Sequence, residues 1–226
     1  MSGARGQQVK PSDIRRWGPT WSRRVGWFLD HIYWNTTVVG AENIPQHTRA
    51  IVAANHVGIM DGPVVHGALP RGSHFIVKQE FFDSALGFLM TYSGQIPVDR
   101  SSGSAALRVA LALLEEDRLV GIFPEGTRGR GDISAVHAGV AWLALRSGAP
   151  IIPTAVLGTR GPGDSRSHVS RPRTKLYVEF GTPMTVDVAD LKGRAATAEA
   201  MSQIADVMSR HIREASARTG IALPEM

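Results

Sequence analysis

Four short stretches of this 226-residue chain hold residue types that can do chemistry. In NHVGIMD, residues 55–61, a histidine stands five residues before an aspartate. Imidazole accepts a proton near neutral pH without a large pKa shift, and a carboxylate can hold its tautomer and stabilise the imidazolium. On a single helix five residues turn about 140° net, so His56 and Asp61 would diverge. They meet only if His56 lies in a loop after the apolar run 50–54 and Asp61 opens the next helix. Asp61-Gly62-Pro63 suits a helix start, with Asp61 at the cap and Pro63 in the first turn. The plainer alternative makes Asp61 an N-cap alone and His56 a loop histidine.

The second stretch, GQIPVDR (94–100), closes a short β-like run with Asp99 and Arg100. An arginine fork at a strand end beside helix amides makes a phosphate clamp; an isolated Asp-Arg pair on a surface is worth little. The third, FPEGTRGRG (123–131), follows an apolar run. Pro124 and Gly126 punctuate it, leaving Glu125, Thr127 and Arg128 at the carboxyl end of an expected strand, where α/β proteins gather ligands. An ordinary polar turn would read the same way. The fourth, 151–156, is an apolar run that on its own says only core.

In this order and at these separations, the four stretches resemble the glycerolipid acyltransferase family, whose best-known members acylate lysophosphatidic acid. The likeness runs over 38–183 and begins at VVGAENIP, 38–45. The family's His, four residues, then Asp falls on His56 and Asp61; its second block ends on Asp99 and Arg100; FPEGTR falls on 123–128; the fourth, with its inner proline, falls on 151–156. The resemblance implies that His56 is a general base, oriented by Asp61, that deprotonates an acceptor hydroxyl as it attacks an acyl thioester. It places acceptor contacts on Arg100, Glu125, Gly126, Thr127 and Arg128. Glu125 is the odd member, since a carboxylate repels phosphate; holding an arginine or bonding a glycerol hydroxyl suits it better.

The same resemblance implies acyl-CoA or acyl-carrier protein as co-substrate, a lysophospholipid such as 1-acylglycerol-3-phosphate as acceptor, and no metal or cofactor. Two departures bear on acceptor details and acyl-chain choice: Val136-His137 stands where many relatives have Phe-Lys, and Gly58 where a serine is frequent. Two other readings compete: a thioesterase in which His56 activates water, and a non-catalytic binder of anionic lipid.

The elements that must position these residues are legible as short β-rich runs alternating with helical periodicity, an α/β pattern. Strands are expected over 37–40, 50–54, 74–78, 95–98, 119–123, 151–157 and 174–180. They would form a mixed, largely parallel central sheet flanked by helices. Helices are expected over 101–117, with Leu107, Leu111 and Leu114 on one face and serines at its start; over 138–146, ended at Gly148; and over 197–217, with Met201, Ile204, Met208 and Ile212 as a core stripe. His137 reads as a solvated histidine at a helix start. The Gly/Pro/Arg-rich stretch 158–172 reads either as a surface excursion or as a lid facing substrate.

Ahead of this domain, assigned to 36–226, residues 1–35 carry six basic side chains against Asp13 and Asp30, and four of the five tryptophans. After Gly18-Pro19, Trp21, Val25, Phe28 and Ile32 recur at helical spacing. A basic amphipathic helix bordered by indoles suits the interface of an anionic membrane; equally, the stripe could dock on the α/β core. The membrane reading implies peripheral attachment at the cytoplasmic leaflet.

Composition narrows the remaining classes. The chain is 43% hydrophobic, enough for a core, with a net charge of +5 that favours anionic partners. The longest stretch free of charged residues is the 15 residues 84–98, short of the about 20 that a spanning helix needs. No secretory leader is expected at the amino terminus. Zero cysteines exclude disulfides, a thiolate metal site and a cysteine nucleophile, and a G-x-S-x-G elbow is lacking. No P-loop lysine exists, and the glycine clusters lack dinucleotide spacing. Nucleic-acid binding has only charge in its favour.

Overall fold

The structure is a computed structural model that describes residues 9–99, 103–133, 136–161 and 163–224. Seven strands form one sheet: β1 (Asn35–Val39), β2 (Ala50–Ala54), β3 (Ser73–Lys78), β4 (Ile96–Val98), β5 (Leu119–Ile122), β6 (Ile151–Leu157) and β7 (Lys175–Phe180), in the order β1-β7-β6-β2-β5-β3-β4. Every neighbouring pair is parallel except β6 with β7. All seven expected strands are present within two residues of their expected ends. The mixed, largely parallel α/β sheet is therefore as expected.

Inner strands are buried on both faces, which is why β2 and β6 read as unbroken apolar runs. On β2, Ile51 and Ala53 enter one core, while Ala50, Val52 and Ala54 enter the other. The first core is covered by α5 (Gly103–Glu115), α6 (Ala138–Ser147) and α7 (Gly193–Thr219). On α5 the most buried residues include Val109, Leu113 and Leu114; Leu107 and Leu111 sit at the margin, so the expected face is rotated. The serines expected to cap that helix, 101 and 102, lie outside the described residues. Gly148 ends α6 in the left-handed conformation with φ of +63°. α7 starts four residues earlier than expected, and its Ile204, Met208 and Ile212 are fully buried.

The second core lies beneath α2 (Asp61–Ala68) and α1 (Gly18–Phe28), the latter continuing as a π-helical turn over Leu29–Tyr33. α1 meets α2 backbone to backbone. A Cβ on Gly26 would lie 2.8 Å from the Cα of Gly67, and one on Gly67 would strike the Asp30 carboxylate. Gly26 and Asp30 thus form the docked face of the segment, and Trp34 is buried beyond it. The stripe expected from periodicity points the other way: Val25, Phe28 and Ile32 are 49%, 54% and 54% exposed. Trp21, the first residue of that stripe, is half-buried instead, and its indole donates to the Tyr92 carbonyl at 3.2 Å. Two short helices, α3 (Gln79–Phe82) and α4 (Gly87–Tyr92), lead from β3 to β4. Among the described residues, no helix is long and apolar enough to cross a membrane.

Candidate active site

β2 ends at Ala54, and Asn55 ties its end to β6: the Asn55 side chain donates to the Val156 carbonyl at 3.0 Å and accepts from the Val156 amide at 2.8 Å. The chain then leaves the sheet, putting His56 in a loop at the carboxyl end of the central strand. Asp61 is the first residue of α2, and Pro63 lies in its first turn, where a missing N–H costs nothing. The geometry that spacing alone required is present. The Asp61 carboxylate does not cap α2, however. It turns back into the loop, where Oδ2 accepts from the amides of Val57 (2.7 Å) and Gly58 (2.8 Å) and from His56 Nδ1 (2.8 Å).

A carboxylate can only accept, so His56 Nδ1 carries a proton, and in the neutral imidazole the lone pair is then on Nε2. The imidazole is mostly covered, whereas Asp61 is wholly buried. Beneath the ring lies Phe123, stacked at 4.1 Å between centroids and 19° between planes. Phe123 rests in turn on Phe75, 5.7 Å away, and Phe75 occupies the space left by Gly121, its cross-strand partner, whose Cβ would collide with the phenyl ring. One glycine on β5 thereby sets the height of the platform under His56.

Glu125 sits in the turn after β5. Its Oε1 accepts from the His56 amide at 3.0 Å, so it braces the His56 loop. Burial pushes its carboxyl up to about 7; the amides of His56 and Gly131 oppose the shift, and the nearby Asp132 and Asp61 add to it. Gly126 holds a φ of +65° and accommodates the His137 imidazole, which a Cβ would approach to 2.7 Å. His137 is exposed as expected, yet it packs on the FPEGTR turn and its amide donates to the Pro124 carbonyl at 2.8 Å. Thr127 is exposed, and Arg128 reaches back to donate to the Arg166 carbonyl at 3.1 Å.

Of the expected site residues, His56, Asp61 and Glu125 come together within hydrogen-bond reach, with Gly126, Thr127 and Arg128 on the adjoining turn. Asp99 follows β4 on the sheet edge, separated from β2 by β5 and β3. Arg100 lies outside the described residues.

The stretch after β6 is tied to the site at its start, while most of residues 163–173 are exposed at the surface. Thr159 is buried and donates from Oγ1 to Asp61 Oδ1 at 2.5 Å, completing the carboxylate's shell. Arg160 reaches the carbonyls of Val57 (3.5 Å) and Gly129 (3.3 Å), and the Ile59 amide donates to the Arg166 carbonyl at 3.0 Å. Arg160 belongs to the Arg-rich stretch singled out in the sequence, whereas Thr159 carries no motif of its own. The available signal was their position, directly after a buried strand at the edge where the other site residues gather.

Fold and site together define a doubly covered α/β protein that displays a histidine–aspartate pair at the carboxyl ends of its strands. A family model described as Acyltransferase matches residues 35–157. The chain is 31% identical over 173 residues to a 1-acyl-sn-glycerol-3-phosphate acyltransferase of Bacillus subtilis, covering 74% of this chain and 84% of that one. It is 30% identical over 177 residues to a protein of the same name from Cocos nucifera, covering 76% of this chain and about half, 56%, of the longer plant protein. The crystal structure of the 1-acyl-sn-glycerophosphate acyltransferase PlsC from Thermotoga maritima superposes with a TM-score of 0.68 over 87% of this chain and 79% of that one, at 24% identity, a likeness of fold. The chain belongs to the Acyltransferase family.

Proposed function

We propose that the chain transfers an acyl group from acyl-CoA or acyl-carrier protein to the free hydroxyl of a lysophospholipid, foremost 1-acylglycerol-3-phosphate, giving phosphatidic acid. The observation that carries this reading is the 2.8 Å bond from His56 Nδ1 to the buried Asp61 carboxylate, which leaves Nε2 as the basic atom. Nε2 takes the acceptor's hydroxyl proton while its oxygen attacks the thioester carbonyl. The C–O bond forms, the C–S bond breaks, and the imidazolium returns the proton to the departing thiolate. No covalent acyl-enzyme is needed, in keeping with a chain without cysteine. The substrate class is supported by the names of the relatives from Bacillus subtilis and Cocos nucifera.

In this reading Arg100 and Arg128 bind the acceptor phosphate, with Gly126 and Thr127 offering main chain at close approach. Glu125 braces the His56 loop, and its raised pKa removes the difficulty of a carboxylate beside a phosphate, since it is protonated part of the time near neutrality. Residues 36–226 form the transferase domain. The outward Trp/Arg face within residues 1–35 supports peripheral attachment to an anionic membrane surface.

A panel of acyl thioester donors against lysophospholipid acceptors, with products identified by mass, tests the reaction. Thiol release that requires the lysophospholipid and yields phosphatidic acid is expected. Release just as fast without acceptor identifies a thioesterase, and silence across the panel identifies a lipid binder.

A further inference from the structure

A cavity of about 250 Å³ lies at the opposite end of the sheet from His56, against the amino-terminal ends of β3 and β5. His56 follows the carboxyl end of β2, and β2, β5 and β3 run parallel, so the strands themselves separate the two places. Three half-buried arginines line the cavity: Arg16 ahead of α1, Arg71 ahead of β3 and Arg118 ahead of β5. Thr20, exposed in the first turn of α1, lines it as well. Trp17 gives that helix start no side-chain cap, which leaves its partial positive charge unanswered by a side chain.

The carboxylates at the cavity do not balance these guanidinium groups. Glu116 is shared between two of them: Oε1 accepts from Arg16 Nη2 at 2.7 Å, while Oε2 accepts from Arg16 Nε at 3.2 Å and from Arg118 Nε at 3.1 Å. Asp117 is taken by Arg49, whose Nε lies 3.4 Å from Oδ1. Among the described residues Arg71 donates to carbonyls alone, that of Asp117 at 2.9 Å and that of Thr48, and its Nε is buried without a partner. Burial pulls the Arg71 pKa below that of a free guanidinium; Asp117 opposes the pull, and Arg118 adds to it. Four arginines thus meet two carboxylates, an excess of two positive charges in a setting where unpaired charge is costly. Arg23, which donates to the Leu69 carbonyl at 3.2 Å, adds to the excess from α1.

We propose that this cavity is a second anion site, remote from the catalytic face, that takes a phosphate monoester between Arg16, Arg71 and Arg118. The proposal goes beyond the acyltransferase reading and does not depend on it. A phosphate dianion matches the excess charge, and planar guanidinium groups bond phosphate oxygens in pairs. Bound there, the anion bridges three parts of the chain: the segment leading into α1, the connection from α2 to β3, and the turn before β5. Arg118 already donates to the Arg16 carbonyl at 3.0 Å and reaches His74 Nε2 of β3 at 3.3 Å, so the anion reinforces an existing tie between the amino-terminal segment and the sheet. The same chemistry belongs to a free phosphate ester and to the headgroup of phosphatidic acid.

The test is calorimetric titration of the purified full chain, in chloride at fixed ionic strength, with inorganic phosphate, glycerol 3-phosphate and dihexanoyl phosphatidic acid. Arg128→Gln serves as the background, because the proposed acceptor site also binds phosphate. In that background a single equivalent of phosphate is expected to bind and to raise the thermal midpoint. Adding Thr20→Glu, which sets a carboxylate at the cavity from an exposed position, or Arg71→Gln should weaken binding at least about tenfold. Arg71→Lys, which keeps the charge but loses the fork, should fall between. Thr20→Glu by itself should keep the wild-type midpoint and transfer rate in phosphate-free buffer. Tighter binding of glycerol 3-phosphate than of phosphatidic acid identifies a soluble ligand, and the reverse order identifies a headgroup; loss of either with Thr20→Glu supports the site. Phosphate affinity unmoved by Thr20→Glu would overturn the proposal, as would no phosphate binding at all by folded Arg128→Gln.

Discussion

Thr159 Oγ1 donates to Asp61 Oδ1 at 2.5 Å, linking the end of β6 to the carboxylate that orients His56. Asp61 thereby has both oxygens engaged inside the protein, three donors on Oδ2 and one on Oδ1. A buried carboxylate stripped of one partner loses a charge-assisted bond of about 1.5–3 kcal/mol. Thr159→Val should lower kcat by about ten- to a hundredfold with little change in KM, and Thr159→Ser should restore most of it. A change confined to KM would assign Thr159 to substrate contact instead.

The platform under His56 gives a second prediction. Gly121→Ala drives a methyl into the Phe75 ring, on which Phe123 and then His56 rest. Overpacking of this kind costs about 1–3 kcal/mol. The thermal midpoint and kcat should fall together, and adding Phe75→Leu should recover stability. Thermal scans beside initial rates check it.

A third concerns Asp30, buried where α1 crosses α2. Oδ1 accepts from Thr36, and Oδ2 has no partner. Burial pushes this carboxyl up to about 8, with the Thr36 hydroxyl opposing. A raised carboxylate pKa means that the folded state binds the proton more tightly than the unfolded chain. The stability contributed is full below the ordinary carboxylate range and is lost as pH rises through about 8. His66 and His74, which burial holds at about 3 and about 4, act in the opposite sense below the ordinary histidine range. Asp30→Asn should flatten the decline of the thermal midpoint between the ordinary histidine range and about pH 8, where these histidines are silent. An unchanged decline would exclude Asp30 as its source.

Much of this was legible beforehand. Inner parallel strands announce themselves as apolar runs because both their faces are covered, and the five-residue spacing of His56 and Asp61 demanded a loop followed by a helix start. Other features had no local signal. α3 and α4 span only four and six residues, too short for periodicity. On α1, periodicity marked the apolar stripe correctly but not which face docks. Close helix crossing selected Gly26 against Gly67 and buried Asp30, so the most apolar side was left outward. Thr159 reaches Asp61 across 98 residues of sequence, a pairing that only the β2–β6 adjacency creates.

The central claim is that His56, held by Asp61, is the general base for acyl transfer. The most direct measurement is the rate of phosphatidic acid formation from an acyl thioester and 1-acylglycerol-3-phosphate by purified wild type, His56→Ala and Asp61→Asn, each verified as folded by its thermal midpoint. Loss of a positioned base predicts a fall of about 10²–10⁴-fold for His56→Ala, with vesicle binding retained. Transfer by folded His56→Ala at the wild-type rate would contradict the account.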